Sequence, residues 1–183
     1  MINEHDAEHA RELAADLLGS MADRWRHTAG VAARAAELAT TVAETDRDLL
    51  VAAAWLHDIG YAPPVADTGF HPLDGARHLD RLGWPRRIAA LVAHHSGARF
   101  VAEVLDVGEQ LDAYPREEGP VADALALADQ TVDHRGDRVP LRDRWADMLH
   151  RHGPRSPNAR VHHLRAPHLL AVAARVEARL AGP

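Results

Sequence analysis

AAWLHDIGY, residues 53–61, joins the end of an apolar run to an adjacent histidine and aspartate. The run is long enough to form a buried helix, and Gly60 predicts where that helix stops. His57 and Asp58 therefore lie at the end of a core segment, where polar groups without partners are costly. A second His-Asp pair, at residues 5–6, follows no apolar run. The sequence thus singles out His57 and Asp58 as a candidate functional pair.

Further histidines and one aspartate lie around this pair at usable spacings: His27, His71, His94, His95 and Asp129. Asp129 follows the apolar turn at residues 125–128, and a buried carboxylate needs a metal, an arginine or a helix cap. A single histidine on an apolar helix face, such as His27, is more often a hydrogen-bonded core residue than a ligand. Imidazoles and carboxylates gathered together would nevertheless make a metal site without sulfur ligands.

Composition favours helices. Hydrophobic residues make up 46% of the 183 residues and aromatic residues only 4%, so alanine, leucine and valine must form the interior. We predict an all-α, single-domain helical bundle spanning 1–183, with the motifs in 22–135 and C-terminal helices in 140–181 packing on that core. The predicted helices cover 5–18, 21–44, about 47–58, 72–82, 85–95, 99–112 with a break near Gly108, 121–133, 140–152 and 167–181.

Charge and residue usage exclude several classes of function. The net charge is −6 and there is no broad basic region, so we expect no stable nucleic-acid complex. No apolar run is long enough to span a bilayer, and the first twenty residues lack a signal-peptide pattern, so we expect a cytoplasmic protein without membrane association. The chain has no cysteine and no lysine. Any cationic contact to phosphate must therefore come from arginine or histidine.

The motifs together resemble the HD-domain superfamily of metal-dependent phosphohydrolases, of the small single-domain bacterial type. RHTAGVAARAAELA surrounds His27, AAWLHDIGY contains His57 and Asp58, and ALADQTVD contains Asp129. FHPLDGARHL and VAHHSGA resemble the additional histidine positions of subgroups that bind two metals. Many relatives have lysine after HDIG, where this chain has Tyr61, so a lysine-to-phosphate contact is not carried over.

The resemblance implies roles for these residues. His27, His57, Asp58 and Asp129 would hold a first metal, and Asp58 would bridge to a second held by His71, His94 and His95. Asp58 and His71 are the expected catalytic residues, and metal-activated hydroxide would attack phosphorus. Histidine and aspartate ligands favour divalent transition metals. We expect one or two ions, Fe or Mn first, with Zn, Co or Ni as alternatives.

The expected activity is hydrolysis of a nucleotide or another small phosphate ester. Two alternatives remain open: a di-iron oxygenase with the same ligands, and a regulator that binds metal or nucleotide without turnover. Tyr61, Ser96 and Arg99 are candidate substrate contacts. The sequence leaves the oligomeric state open, a homodimer included.

Overall fold

The computed structural model describes residues 6–182, and within this range the structure is helical apart from turns and one isolated β-bridge between Val132 and Arg138. The predicted all-α class is confirmed. The α-helices are α1 (Ala7–Leu18), α2 (Ala22–Leu38), α3 (Arg47–Leu56), α4 (His71–Arg81), α5 (Arg86–His94), α6 (Ala98–Val104), α7 (Gly108–Leu111), α8 (Pro120–Gln130), α9 (Leu141–His152) and α10 (Pro157–Ala181).

Helix α3 is the central element of the bundle, as its apolar run predicts. Leu50, Ala53 and Ala54 pack into the core that α3 shares with α2 and α8. Ala52 and Leu56 pack into the core shared with α1, α4 and α5. Because apolar residues cover several sides of this helix, it is buried between other helices and its C-terminal end lies inside the protein.

Two predicted helix boundaries are wrong by more than one helical turn, and the others differ by about one turn or less. Helix α2 ends at Leu38 instead of residue 44, because a 3₁₀ turn follows at Ala39–Thr41 and the Thr41 hydroxyl donates to the Leu38 carbonyl at 2.7 Å. Helix α10 begins at Pro157 instead of residue 167. The Ser156 hydroxyl caps it by accepting the Ala159 N–H, and Pro157 occupies the first helical position, where its missing N–H costs nothing.

Gly60 lies in the short 3₁₀ turn Ile59–Tyr61 after α3. Its φ is not positive, so the turn does not need glycine for its backbone conformation. A Cβ atom at residue 60 would lie 2.0 Å from the His71 carbonyl oxygen and 2.8 Å from the Gly75 nitrogen. Glycine is needed because the backbone of α4 packs directly against this turn. That contact brings the start of α4 next to the end of α3.

The C-terminal helices complete the bundle. Helix α10 packs against α8 and α6, and its Arg175 and Arg179 pair with the buried Asp123 carboxylate of α8 at 2.5 and 2.8 Å. Among the described residues, no helix combines the length and apolar character that crossing a membrane would require. The assignment to one domain stays a prediction, and the first five residues of the chain lie outside the described range.

Candidate metal centre

Six of the seven predicted metal ligands meet where helix ends converge. His27 lies inside α2, and His57 caps α3 with Asp58 directly after it. His71 begins α4, His95 follows α5, and Asp129 lies at the end of α8. Donor atoms of two sets lie within 4.8 Å of one another: His27, His57 and Asp129, and His57, Asp58 and His95.

Backbone carbonyls orient three of the imidazoles. Nδ1 of His57 lies 2.7 Å from the Ala54 carbonyl oxygen, and Nδ1 of His95 lies 2.7 Å from that of Val92. Nδ1 of His27 lies 3.0 Å from the Asp133 carbonyl oxygen. An Nδ1–H that donates to a carbonyl leaves Nε2 as the ligating nitrogen, which is the usual arrangement around protein metal sites. All three Nε2 atoms point toward the cluster.

The two oxygens of Asp58 face different histidines. Oδ2 lies 3.4 Å from His57 Nε2 and 3.7 Å from His27 Nε2, whereas Oδ1 lies 3.2 Å from His71 Nε2. His71 Nε2 in turn lies 3.3 Å from His95 Nε2. The Asp58 carboxylate therefore lies between two groups of imidazoles and would be the residue that both ions could share. Arg24 also donates to Oδ2, at 2.5 Å.

The Asp129 carboxylate is held from its other side. Oδ1 faces His27 Nε2 at 3.1 Å, while Oδ2 accepts hydrogen bonds from Ser96 Oγ at 2.5 Å and Gln130 Nε2 at 2.8 Å. Gln130 is itself fixed, because the Trp145 indole N–H donates to its Oε1 at 3.0 Å. Hydrogen bonds of this kind fix the orientation of a ligating carboxylate.

The donor set fits a divalent cation. His57 is fully buried, and its Nε2 has no hydrogen-bond partner in the described part of the chain. This nitrogen faces oxygens of Asp58 and Asp129 at 3.4 and 3.8 Å. A nitrogen lone pair that faces two carboxylates is repelled by them unless a proton or a metal cation lies between. Nitrogen and oxygen donors without sulfur suit Fe, Mn, Co, Ni and Zn.

The pKa shifts agree with a site built for positive charge. Burial opposes ionisation of Asp58, but Arg24 and His57 outweigh it and hold the pKa of this carboxyl well below its usual range. Burial likewise opposes a proton on His57, yet Asp58 outweighs it and the His57 pKa is raised. Burial, together with the neighbouring His57 and His71, lowers the pKa of His95 to about 3. His95 is therefore a neutral imidazole near pH 7, the form that can bind a metal.

His94, the seventh predicted ligand, lies apart from the cluster. Its Nε2 lies 2.8 Å from the Tyr114 carbonyl oxygen, and the ring lines a separate cavity of about 540 Å³. Consecutive residues at the end of a helix project in different directions, so the two side chains leave the chain on different sides. The structure brings His95 to the centre and does not bring His94 there.

The cluster of histidines and aspartates lines a cavity of about 280 Å³. The rest of the cavity wall consists partly of residues that lie outside the sequence motifs. The side chains of this wall come from α9 and α10 and include Arg144, Trp145, Arg151, Asn158 and Arg165. The sequence pattern indicates only a solvated polar face for the histidines of the C-terminal region. Two of them, His134 and His152, nevertheless line the cavity. The absence of lysine is the only signal in the sequence that points to arginines here.

The three candidate substrate contacts have different surroundings. Tyr61 stacks on His71, with ring centroids 3.9 Å apart, and lines the cavity. Ser96 adopts a positive φ of 52°, which is unusual outside glycine, and its hydroxyl is committed to Asp129. Arg99 stacks over Phe100 and lines the cavity beside His94. Of the three, only Tyr61 lines the cavity of about 280 Å³.

The protein is thus an all-α bundle with a buried cluster of histidines and aspartates that could hold a metal ion. The HD domain family matches residues 24–132, more than half of the chain, so the protein belongs to the HD domain family. This family indicates the superfamily of metal-dependent phosphohydrolases. Comparisons with curated proteins and with solved structures found no match.

Proposed function

We propose that this protein is a metal-dependent hydrolase of a nucleotide or another small phosphate ester. The observation that carries the proposal is the placement of arginines: Arg24, Arg144, Arg151 and Arg165 line the same cavity as the histidine and aspartate cluster. Guanidinium groups match the geometry of phosphate oxygens. Anion-binding groups thus face metal-type donors across one cavity.

Two of these arginines have cationic groups available for an anion. Arg144 donates to the Val132 carbonyl, and Arg165 donates to the Ser96 carbonyl at 2.7 Å and to Asn158 Oδ1 at 3.0 Å. Neither forms an ion pair with a carboxylate of residues 6–182. A partly buried cation without a counter-charge gains most from an anionic ligand.

The chain's own residues have distinct roles in this proposal. His27, His57, Asp58 and Asp129 would hold one ion, and His71 and His95 would hold a second, with Asp58 shared and His71 beside the reacting phosphoryl group. Bound divalent ions supply Lewis acidity and lower the pKa of water at neutral pH. The arginines orient the phosphoryl oxygens and offset their charge. Burial and the nearby Asp58 raise the pKa of Tyr61 to about 12, so its phenol stays protonated and can donate a hydrogen bond.

The volume of the cavity favours a small substrate. About 280 Å³ is close to the lower end of ligand pockets, which span about 300–1,000 Å³. A single phosphate ester group fits this volume better than an extended polyphosphate chain does.

The test compares two adjacent histidines. His95→Gln removes a donor from the cluster, whereas His94→Gln removes a neighbouring imidazole that lies outside it and serves as the matched control. Each protein is loaded with Fe(II), Mn(II), Co(II), Ni(II) or Zn(II), its metal content is measured by elemental analysis, and phosphate release is followed with nucleotides and simple phosphate esters.

We expect His95→Gln to lower both the metal content and the hydrolysis, and His94→Gln to retain both. Loss of metal in the His94 variant would contradict a ligand set that contains His95 and leaves His94 out. A loaded protein that hydrolyses no phosphate ester, but consumes O₂ with an organic substrate, would refute the proposed reaction.

A further inference from the structure

A second, smaller cavity of about 190 Å³ adjoins the arginine-lined one. The two share five lining residues: Tyr61, His71, His95, Asn158 and Arg165. His71 and His95 belong to the donor cluster, so the metal centre lies at the junction of the two cavities. We call the larger one the phosphate chamber and the smaller one the apolar chamber.

The remaining wall of the apolar chamber differs in chemistry from that of the phosphate chamber. Apart from the five shared residues and Ser96, every lining residue is apolar or glycine. The apolar side chains come from the start of α4, from α6 and the residue after it, and from the start of α10: Phe70, Pro72, Ala98, Val101, Leu105 and Pro157. Among the described residues, no carboxylate lines it, and Arg165 is its one charged lining residue.

The apolar wall disfavours a second phosphate or a polyhydroxylated group, and five of the polar lining residues are those that the chamber shares with the phosphate chamber. Arg165 also lines the phosphate chamber, so among the described residues the apolar chamber has no other arginine that could bind a second phosphate. Hydroxyl groups placed against Phe70, Val101 and Leu105 would lose their hydrogen bonds to water without replacement. A group that shows apolar surface would instead gain from contact with these side chains.

We propose that the apolar chamber binds the leaving group of the substrate, and that this group carries a single apolar ring or a branched alkyl chain of similar size. The proposal rests on the hydrolase function proposed above and, within it, favours a small phosphate ester over a nucleotide, whose leaving group is a hydroxylated nucleoside. The volume supports it, because an apolar protein cavity of about 150 Å³ holds one benzene molecule. With the phosphoryl group against the arginines, the ester oxygen lies at the junction beside His71 and its substituent enters the apolar chamber.

The first test measures binding without turnover. Benzylphosphonate and methylphosphonate carry the same anionic group on a carbon that is not hydrolysed, and they differ only in the ring. Calorimetry on the metal-loaded protein gives both dissociation constants. We expect benzylphosphonate to bind at least about tenfold more tightly, in line with the discrimination that apolar pockets achieve.

Leu105 allows a variant with a matched control. Leu105 is 37% exposed, so Leu105→Gln changes the chamber wall with little effect on the core. Leu164 is 53% exposed on α10 and lines neither chamber, so Leu164→Gln controls for the change of residue type. Val101→Thr provides a second change in the wall with almost the same shape. Both wall variants should reduce the benzyl-to-methyl affinity ratio about threefold or more, with methylphosphonate binding unchanged, and Leu164→Gln should keep the ratio.

The second test uses turnover. Water breaks the P–O bond of benzyl phosphate or glycerol phosphate and releases inorganic phosphate with benzyl alcohol or glycerol. Both leaving groups are aliphatic alcohols, so a difference in kcat/KM reports recognition of the leaving group more than its chemical reactivity. We expect benzyl phosphate to be favoured about tenfold by the unmodified protein and less by the Leu105 variant.

The outcomes separate the two proposals. Equal binding of both phosphonates, or a ratio that survives in both wall variants, overturns the leaving-group assignment and leaves the hydrolase proposal intact. Failure to hydrolyse any ester despite bound metal refutes the proposed function itself, whether or not the phosphonates are discriminated.

Discussion

Gly60 is the position at which the smallest change should separate the two halves of the proposed metal centre. A Cβ atom in Gly60→Ala would lie 2.0 Å from the His71 carbonyl oxygen, 2.7 Å from its carbonyl carbon and 2.8 Å from the Gly75 nitrogen. All three are backbone atoms of α4, so no flexible side chain can move out of the way. The start of α4 must shift.

The size of the shift follows from these distances. To reach even 3.0 Å from the Cβ, the His71 oxygen must move by about 1 Å. Metal sites tolerate ligand displacements of only about 0.2 Å. His71 should therefore move out of reach of the second ion proposed above, whereas His27, His57 and Asp129 come from α2, α3 and α8 and should stay together. Overpacking of this kind costs about 1–3 kcal/mol of unfolding free energy, which is roughly 2–12 °C in Tm for a chain of this size.

The assay combines metal content, turnover and melting temperature. For Gly60→Ala we expect one ion to be lost of the two proposed, a decrease of about 100-fold in kcat, and a fall in Tm within the stated range. Gly108→Ala is the control, because its Cβ would meet only the end of the exposed Glu103 side chain, at 3.2 Å. A Gly60→Ala protein with full metal content and unchanged kcat would refute the reasoning that close backbone packing positions His71.

Three further expectations concern the arginine of the cavity wall, the ion pairs between α8 and α10, and the protonation of His95. Arg165→Gln should raise the dissociation constant for inorganic phosphate about tenfold with metal content unchanged, measured by calorimetry on the loaded protein. Asp123→Asn should lower the free energy of unfolding by about 1–3 kcal/mol in urea titrations, because two arginines of α10 would lose their buried partner. His95 has its folded pKa lowered to about 3, and its unfolded pKa is about 6.5, so the unfolded chain binds this proton first. The contribution of His95 to stability is therefore fully present above pH 6.5 and is lost as the pH falls toward 3, and His95→Gln should flatten the dependence of Tm on pH in the metal-free protein.

Each of these expectations has a matched control. Arg160 is exposed on the same helix as Arg165, so Arg160→Gln should leave phosphate binding unchanged, and an equal effect of the two variants would indicate a general charge effect. Asp147 pairs with the exposed Arg151, so Asp147→Asn should cost less than Asp123→Asn. If Tm falls with pH as steeply in the His95→Gln protein as in the parent, other groups are responsible.

The centre of the fold could be predicted from the sequence because local pattern and burial agree there. The apolar run before His57 forms one buried helix, and its end places His57 and Asp58 inside the protein. Asp129 was recognisable by the same argument, as a carboxylate among apolar helical positions, whereas His27 became a candidate ligand only through the resemblance of the motif around it. The sequence gives no hint of the close packing at Gly60, because a glycine that ends a helix and a glycine that admits a neighbouring backbone look the same in a sequence.

His94 and His95 show where local pattern stops being informative. Both are histidines at the end of the same helix, and residue type gives no reason to prefer one. The difference lies in what each ring meets in the folded protein: the His95 ring lies against His57 and His71, whereas His94 lies against the Tyr114 carbonyl. Long-range contacts hold the turn that follows, because the Ser96 hydroxyl donates to Asp129 and the Ser96 carbonyl accepts from Arg165, which is 69 residues away.

The arginine wall of the phosphate chamber could not be located from sequence for a related reason. The chain contains 21 basic residues, all of them arginine, and most lie on helix faces that look solvated. What distinguishes Arg144 and Arg165 is that their polar contacts are to backbone carbonyls and an amide, with no carboxylate partner among residues 6–182, although they face a cavity. By contrast, Arg175 and Arg179 are ion-paired with Asp123. An arginine that a protein keeps beside a cavity without a counter-charge is best explained by an anion that arrives from outside, which is why the C-terminal helices belong to the proposed site as well as to the fold.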